Sequence, residues 1–342
     1  MNVYSRRTIH SVGALALICS SVTVARAQTA TSRIVSAANS FLSTLDEKQR
    51  PSVLFAFDDE KQRANWSNLP TSFVPRAGVS LKGLNAAQRS AALALVSSAL
   101  SRKGFEKVQQ IMEGDEVNKI KEGNPIFGKH LYYISILGKP SEKELWMLQF
   151  GGHHLALNIT IAGERGVLTP TLTGAQPALF TSNGRTMRPL GQESDKALAL
   201  LSALDENQRK QAILSYRLAD LVLGPGQDGK TIQPEGLKAS AMSDRQRAML
   251  LDLISEWANI IHESAAAARM AELKADVNET WFAWSGPTTA TPGSNITAYY
   301  RIQGPHLVIE YAPQRLGGDP SMHVHTMYRD PTNDYGRGLA AK

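Results

Sequence analysis

Two helix-opening motifs and one strand motif each occur twice along this chain, in the same order. Leu45-Asp-Glu-Lys-Gln-Arg50 returns as Leu204-Asp-Glu-Asn-Gln-Arg209, and Leu81-Lys-Gly-Leu84 with Gln88-Arg89 returns as Glu235-Gly-Leu237 with Gln246-Arg247. Further on, Gly152-His-His154-Leu-Ala-Leu-Asn158 aligns with Gly304-Pro-His306-Leu-Val-Ile-Glu310, which matches His154 with His306 and Asn158 with Glu310. Repetition at offsets near half the chain length is the mark of a duplicated unit. The fold must then be one that can be built twice from a segment of roughly 150 residues.

Each copy has the same rhythm. Residues 86–100 and 244–263 place apolar side chains at helical intervals, as in Ala91, Leu93, Leu95, Val96 and Leu100. Strand-like runs rich in aromatic and β-branched residues follow at 131–137 and 145–161, then at 280–284, 296–302 and 307–311, with Gly and Pro at the breaks. The expected class is α+β, with two tandem helix-plus-antiparallel-sheet repeats related by a pseudo-twofold axis. The repeats are assigned to 28–169 and 193–342. Residues 170–192, rich in Thr, Pro and Gly with few charges, are read as a connecting segment or an ordered wall of a cleft.

Residues 1–27 read as an export signal. Arg6 and Arg7 form the charged part, 12–24 the apolar part, and Ala25-Arg26-Ala27 a small-x-small cleavage site. The paired arginines followed by Ile9 partly match a twin-arginine signal, although His10 and Ser11 are not its usual followers. The apolar run falls short of the roughly 20 residues that span a bilayer, so no membrane insertion is expected after cleavage and a periplasmic or secreted location is. Cleavage would remove Cys19, the one cysteine of the 342 residues, and with it any disulfide or thiolate metal site. It would also leave 34 basic side chains against 31 acidic, a balance that does not suit nucleic-acid binding.

Gly224-Pro-Gly-Gln-Asp-Gly229-Lys230-Thr231 fits the spacing of a phosphate-binding loop. Such a loop needs a strand before it and a helix opening at the lysine, so that backbone N–H groups hold the phosphates. Pro234 and Gly236 break any helix there, and 212–223 reads more easily as a helix than as a strand. The segment is read as a turn.

The chemistry-bearing residues gather in two places. Along a strand, residues two apart share a face and lie roughly 6 to 7 Å apart, so His323 and His325 can converge on one ion. His153 and His154, as neighbours, are expected to point to opposite sides, and His154 is chosen because Leu148, Phe150 and Gly152 suggest a shared even-numbered face. Glu310 ends the apolar run Leu307-Val-Ile, where a carboxylate needs a partner. The candidate ligands are thus His154, His323, His325 and Glu310, a nitrogen and oxygen set suited to a divalent transition metal such as Zn, Cu, Fe or Mn. In Arg329-Asp-Pro-Thr-Asn-Asp-Tyr-Gly336, Arg329 can stabilise developing negative charge, Asp330 or Asp334 can take a proton and Tyr335 can donate one. The same run also suits a self-bonded loop.

With the GHH motif at 152–154, Gly224-Pro-Gly with Pro234-Glu-Gly-Leu237, and Ile309-Glu310 ahead of the His-x-His and Arg-Asp-Pro-Thr-Asn-Asp-Tyr-Gly motifs, the chain resembles a bacterial family known as domain of unknown function 3500. The resemblance implies that these motifs belong to one design and assigns no activity. The expectation is an exported metal-dependent enzyme, a hydrolase rather than an oxidase, acting on a small-molecule substrate through metal-activated water. The alternative is a periplasmic protein that binds a metal or small ligand without turnover.

Overall fold

The computed structural model describes residue 1, residues 29–316 and residues 318–340. The export signal read at 1–27 lies outside the described residues, apart from Met1. Ten strands form one continuous hydrogen-bonded path: β1 (Leu54–Phe55), β2 (Tyr133–Leu137), β3 (Trp146–Gly152), β4 (Leu155–Ala162), β5 (Thr171–Ala175), β6 (Leu237–Lys238), β7 (Trp281–Ser285), β8 (Tyr299–Gly304), β9 (Leu307–Pro313) and β10 (Val324–Arg329). Their order across the sheet is β1-β2-β3-β4-β5-β10-β9-β8-β7-β6. Every pairing on this path is antiparallel except β1 with β2. The seam between the N-terminal and C-terminal strands is the pair β5–β10, in which His325 lies opposite Gly174 and Met327 opposite Leu172. Residues 170–192 therefore hold a central strand of the sheet, followed by a small hairpin at Phe180–Ser182 and Arg185–Met187.

Helices cover one face: α1 (Ala30–Thr44), α2 (Ala86–Ala99), α3 (Arg102–Glu122), α4 (Gly191–Ala203), α5 (Asp244–Ala258) and α6 (Glu263–Ala275). Their starts follow from local chemistry. Asn85 and Ser243 each accept a hydrogen bond from the backbone N–H of the glutamine three residues on, Gln88 or Gln246, which reciprocates to the cap's own N–H. Ala92, Leu95, Val96 and Ala99 of α2 fall three and four apart and bury one stripe. They pack with Phe41 of α1 against Ile134, Leu148, Phe150, Leu157 and Ile159. A second core joins Leu200 of α4 and Leu250, Leu253 and Trp257 of α5 to Phe282, Trp284, Tyr300, Ile309 and Tyr311. Truncating one such leucine, Leu253 for example, is expected to cost about 2 to 5 kcal/mol.

Loops cover the opposite face, so side chains there are buried as well, and many of them are polar. Gln149 on β3 bonds Gln62, Asn158 and the carbonyl of Arg63, while Trp66 packs with Ala156, Leu172 and Met327. In the C-terminal half, Glu310 on β9 is met by segment 214–236. Residues 213–223, expected to be helical, form no helix. After the short helix Glu206–Ala212 the chain runs as a loop, bridging Ile213 to Trp284 and donating the Leu218, Val222 and Leu223 N–H groups to Ser285 and Glu310. These tertiary hydrogen bonds take donors that a helix would have used internally. No helix among the described residues is long and apolar enough to cross a membrane.

Candidate metal centre

Strand β3 turns back into β4 at His153-His154, with Gly152 paired to Leu155 across the turn. A two-residue hairpin needs positive φ, and His154 supplies it at φ +62. The opposite-sides expectation fails here because alternation holds only inside a strand. The two rings instead stack, with centroids 3.6 Å apart and planes tilted by 31°. The turn is fixed from outside: the His154 N–H donates to the Asn68 carbonyl at 3.2 Å, and its own carbonyl accepts from Gly174 N–H at 2.7 Å.

Across the seam, the start of β10 brings His323 and His325 to the same point. The Nε2 atoms of His154 and His323 lie 3.0 Å apart, those of His323 and His325 3.1 Å apart, and the ligand atoms of all three residues fall within 4.8 Å of one another. Two nitrogens bound to one tetrahedral ion at 2.0 to 2.1 Å stand about 3.4 Å apart, so the spacing suits a first-row metal. Burial and mutual repulsion hold the His154 imidazole well below its ordinary range, and burial does the same for His323, to about 4. His325 is also lowered by burial, against the pull of Asp220. All three are thus neutral at pH 7, the form that offers a lone pair to a metal. These three buried histidines could hold a metal ion.

Outer contacts settle the ring orientations. His323 Nδ1–H donates to the Leu316 carbonyl at 2.7 Å, which leaves its Nε2 bare. His325 Nδ1 has the Asn68 amide at 3.3 Å and the Asp220 carboxylate at 3.8 Å. Burial pushes Asp220 up, but His325, the Leu221 N–H and Gln314 outweigh it and hold it below the usual carboxylate range. Behind His154, His153 Nδ1 meets Asp115 at 2.6 Å, and the other Asp115 oxygen accepts from Gly128 N–H at 3.0 Å. Gly174 matters for space: a Cβ there would stand 2.9 Å from the Val324 carbonyl oxygen, 3.2 Å from the His325 ring and 3.3 Å from His154 Cβ.

Glu310, expected among the ligands, is not brought into this cluster. It points to the same face as His325 but sits opposite Met327, two residues along β10, and both of its oxygens are taken. Oε1 accepts from Val222 N–H and the Tyr299 hydroxyl, each at 2.7 Å, and Oε2 accepts from Leu223 N–H at 2.8 Å. Burial raises its pKa against these bonds. It anchors segment 214–236.

The residues expected to be catalytic come together with one another, away from the histidines. Arg329 lies four residues beyond His325, about 13 Å along the strand. Its guanidinium is held by Asp228 and Asp334, both at 2.8 Å, and by the Leu223 and Gly224 carbonyls at 2.7 and 3.0 Å. Asp334 also accepts from Asp330 N–H at 2.9 Å. Asp330 caps Thr332 and pairs with Arg269 at 3.0 Å. Tyr335 accepts from Trp66 Nε1 at 2.8 Å and donates to Asp228 at 2.9 Å, and burial raises its hydroxyl pKa far beyond the physiological range. The C-terminal motif is therefore a clamp that closes on the Gly224–Asp228 loop. Arg329, Asp330, Asp334 and Tyr335 thus bond among themselves and to their neighbours, apart from the three histidines.

Sequence reasoning missed Asn68, Asp115, Gly174, Asp220 and Leu316, all of which touch or crowd the histidines. They lie in loops, a helix and a facing strand, and no local pattern marks them.

A family model described as a protein of unknown function, DUF3500, matches residues 27–337, and the chain belongs to that family. No curated protein and no solved structure matches it.

Proposed function

We propose that the chain is an exported metal-dependent enzyme, a hydrolase, in which His154, His323 and His325 bind one divalent ion of the Zn, Cu, Fe or Mn group. The observation that carries this reading is the convergence of three neutral imidazole nitrogens from segments 169 residues apart. The donor set is all nitrogen, which suits zinc or copper best within that group. Three protein donors would leave a position on the ion for water or substrate. When bound, the ion would supply Lewis acidity and lower the pKa of water in that position. Hydrolysis then forms a bond from the water oxygen to a carbonyl carbon and breaks the bond to the leaving group, which takes one water proton while the other passes to solvent. Asn68, Asp220 and Leu316 orient the rings for this, and the Asp115–His153 pair backs His154.

Elemental analysis of protein taken from its own export route tests the proposal first. About one ion per chain is expected, with ester or amide hydrolysis that chelation removes. Less than a tenth of an equivalent, with melting unchanged by chelator, sinks it. A stoichiometric ion without turnover leaves the second reading, a periplasmic protein that binds a metal or small ligand. That reading is favoured by the commitment of Arg329, Asp330, Asp334 and Tyr335 to structural bonds. Export by the segment 1–27 is checked by the mature N-terminus, expected at Gln28.

We further propose that the chain holds two copies of one unit about a pseudo-twofold axis, the first running beyond 28–169 to take in β5 and the second spanning 193–342. Support comes from the strand order, which runs β2-β3-β4-β5 and then β10-β9-β8-β7. Paired bonds add to it: Gln88 Nε2 donates to the Thr44 carbonyl and Gln246 Nε2 to the Ala203 carbonyl, each at 2.8 Å. An experimental structure whose two segments fail to overlay strand for strand would refute it.

A further inference from the structure

On the helix side of the sheet, at the end of the seam away from the histidines, the packing leaves a cavity of about 130 Å³. Its walls come from both halves of the chain. Leu168 follows the short strand Arg165–Val167, which pairs with β4, and Tyr328 lies near the end of β10. The gap follows from small side chains. Ala265 and Ala268 share one face of α6 with Arg269 and Glu272, and Ala258 ends α5. Three alanines thus line a space between helices and sheet that close packing ordinarily fills with larger groups. Leu168, Ala258 and Ile261 make the buried part apolar.

One end is polar. Tyr328 is 2% exposed; its hydroxyl accepts from Arg269 Nε at 3.1 Å, and no acceptor for its own proton stands among the described residues. Burial raises its pKa, so the proton stays in place at neutral pH. Asn333 is placed alike: its side-chain carbonyl accepts from Gly338 N–H at 2.9 Å, and its amide nitrogen meets no acceptor among the described residues. Both residues line the cavity, which therefore offers donors that an occupant with an acceptor would complete.

Charge and size narrow the occupant. Arg269 already pairs with Asp330 at 3.0 Å and with Glu272 at 3.1 Å. A carboxylate brought to Tyr328 would face buried Asp330 with that cation already engaged. At the mouth, Glu164 and Arg165 are exposed, bring one charge of each sign and are screened by water. A cavity of about 150 Å³ takes a benzene ring.

We propose that this cavity binds an uncharged single-ring compound carrying a carbonyl oxygen, with the ring against Leu168, Ile261 and the three alanines and the oxygen taking the Tyr328 proton. The site does not depend on the metal reading: Tyr328 faces the helices and bonds Arg269 of α6, whereas His325 lies on the loop side with Asn68.

The full chain is titrated calorimetrically with benzamide, benzoate and benzene. Benzamide is expected to bind at one site per chain, about 3- to 10-fold more tightly than benzene, and more tightly than benzoate. Tyr328→Phe, which keeps the ring, should erase the advantage of benzamide and leave benzene unmoved. Ala265→Leu, which fills the buried part, and Ala268→Leu, at the exposed mouth, should abolish binding of all three, with circular dichroism checking the fold. Should Ala265→Leu fail to fold, Ala268→Leu decides alone. No saturable heat from benzamide overturns the proposal, as does benzamide binding untouched by Ala268→Leu. Benzoate binding more tightly than benzamide overturns the uncharged occupant, and equal affinity for benzene and benzamide overturns the role of Tyr328.

Discussion

The hairpin at His153-His154 and the hairpin at Pro305-His306 close strand pairs of the same kind, β3 with β4 and β8 with β9, yet they have opposite fates. His154 is buried beside His323 and His325, whereas His306 is exposed, its ring meeting the nearby Thr332 hydroxyl at 2.9 Å and its carbonyl accepting from Arg269. The turn residues differ less than what faces them. The first turn abuts the start of β10, where two imidazoles project toward it across Gly174, and the second abuts the Asp330–Thr332 bend, which is satisfied by its own bonds. A histidine in a tight turn joins a donor cluster through the strand end opposite it.

Substitution at the two turns gives the widest contrast. His154→Ala should weaken metal binding by more than about 100-fold, since even outer-shell losses cost 10- to 100-fold. His306→Ala should leave it unchanged; a competition titration with a chromophoric chelator reads both. Equal losses at the two turns would mean that the ion is elsewhere.

Next in size is Arg329→Ala, which uncouples the clamp and strands Asp334. It should lower stability by about 3 to 5 kcal/mol in a urea melt while the remaining folded protein still binds its ion. Loss of the ion with fold intact would return Arg329 to the site.

Acid should test the buried cluster as well. His154, His323 and His325 bind protons less readily folded than unfolded, so the unfolded state takes up more protons between about 6.5 and 4. The metal-free protein is therefore most stable above 6.5 and loses stability as pH falls through that window. The His154→Ala variant should lose less than the parent. Melting temperatures across pH 4 to 7.5 provide the check.

The smallest effects test how the ligand is supported. His153→Ala removes the ring stacked on His154, and Gly174→Ala puts a methyl group against the Val324 carbonyl and the His325 ring; each should cost roughly tenfold in metal affinity. Restoration by His153→Phe would identify stacking, and failure to restore would point to the Asp115 bond.

The helices and strands were legible because their apolar spacing and caps are local. Asn85-x-x-Gln88 and Ser243-x-x-Gln246 announce two helix starts, and the β-branched runs mark the sheet. The triad was legible through His-x-His on one strand and through the doubled histidine. His154, however, was chosen for the wrong reason, because Leu148 and Phe150 face the helix-side core while His154 gains its direction from a left-handed turn. Glu310 misled for a related reason. Sequence indicates that a carboxylate in an apolar strand needs a partner, and the backbone N–H groups of a distant loop serve as well as an ion. Asp115, Asp220 and Leu316 act through loop and helix packing that leaves no periodic trace.

The seam between β5 and β10 joins a centre whose donors come from both sides of it, one from the first half of the chain and two from the second. An ion held there would be a removable rivet in a protein whose single cysteine lies at position 19. Its grip would add to the cohesion of the two cores in proportion to its affinity. Metal supply would thereby govern how long the assembled chain lasts, as well as what it can bind.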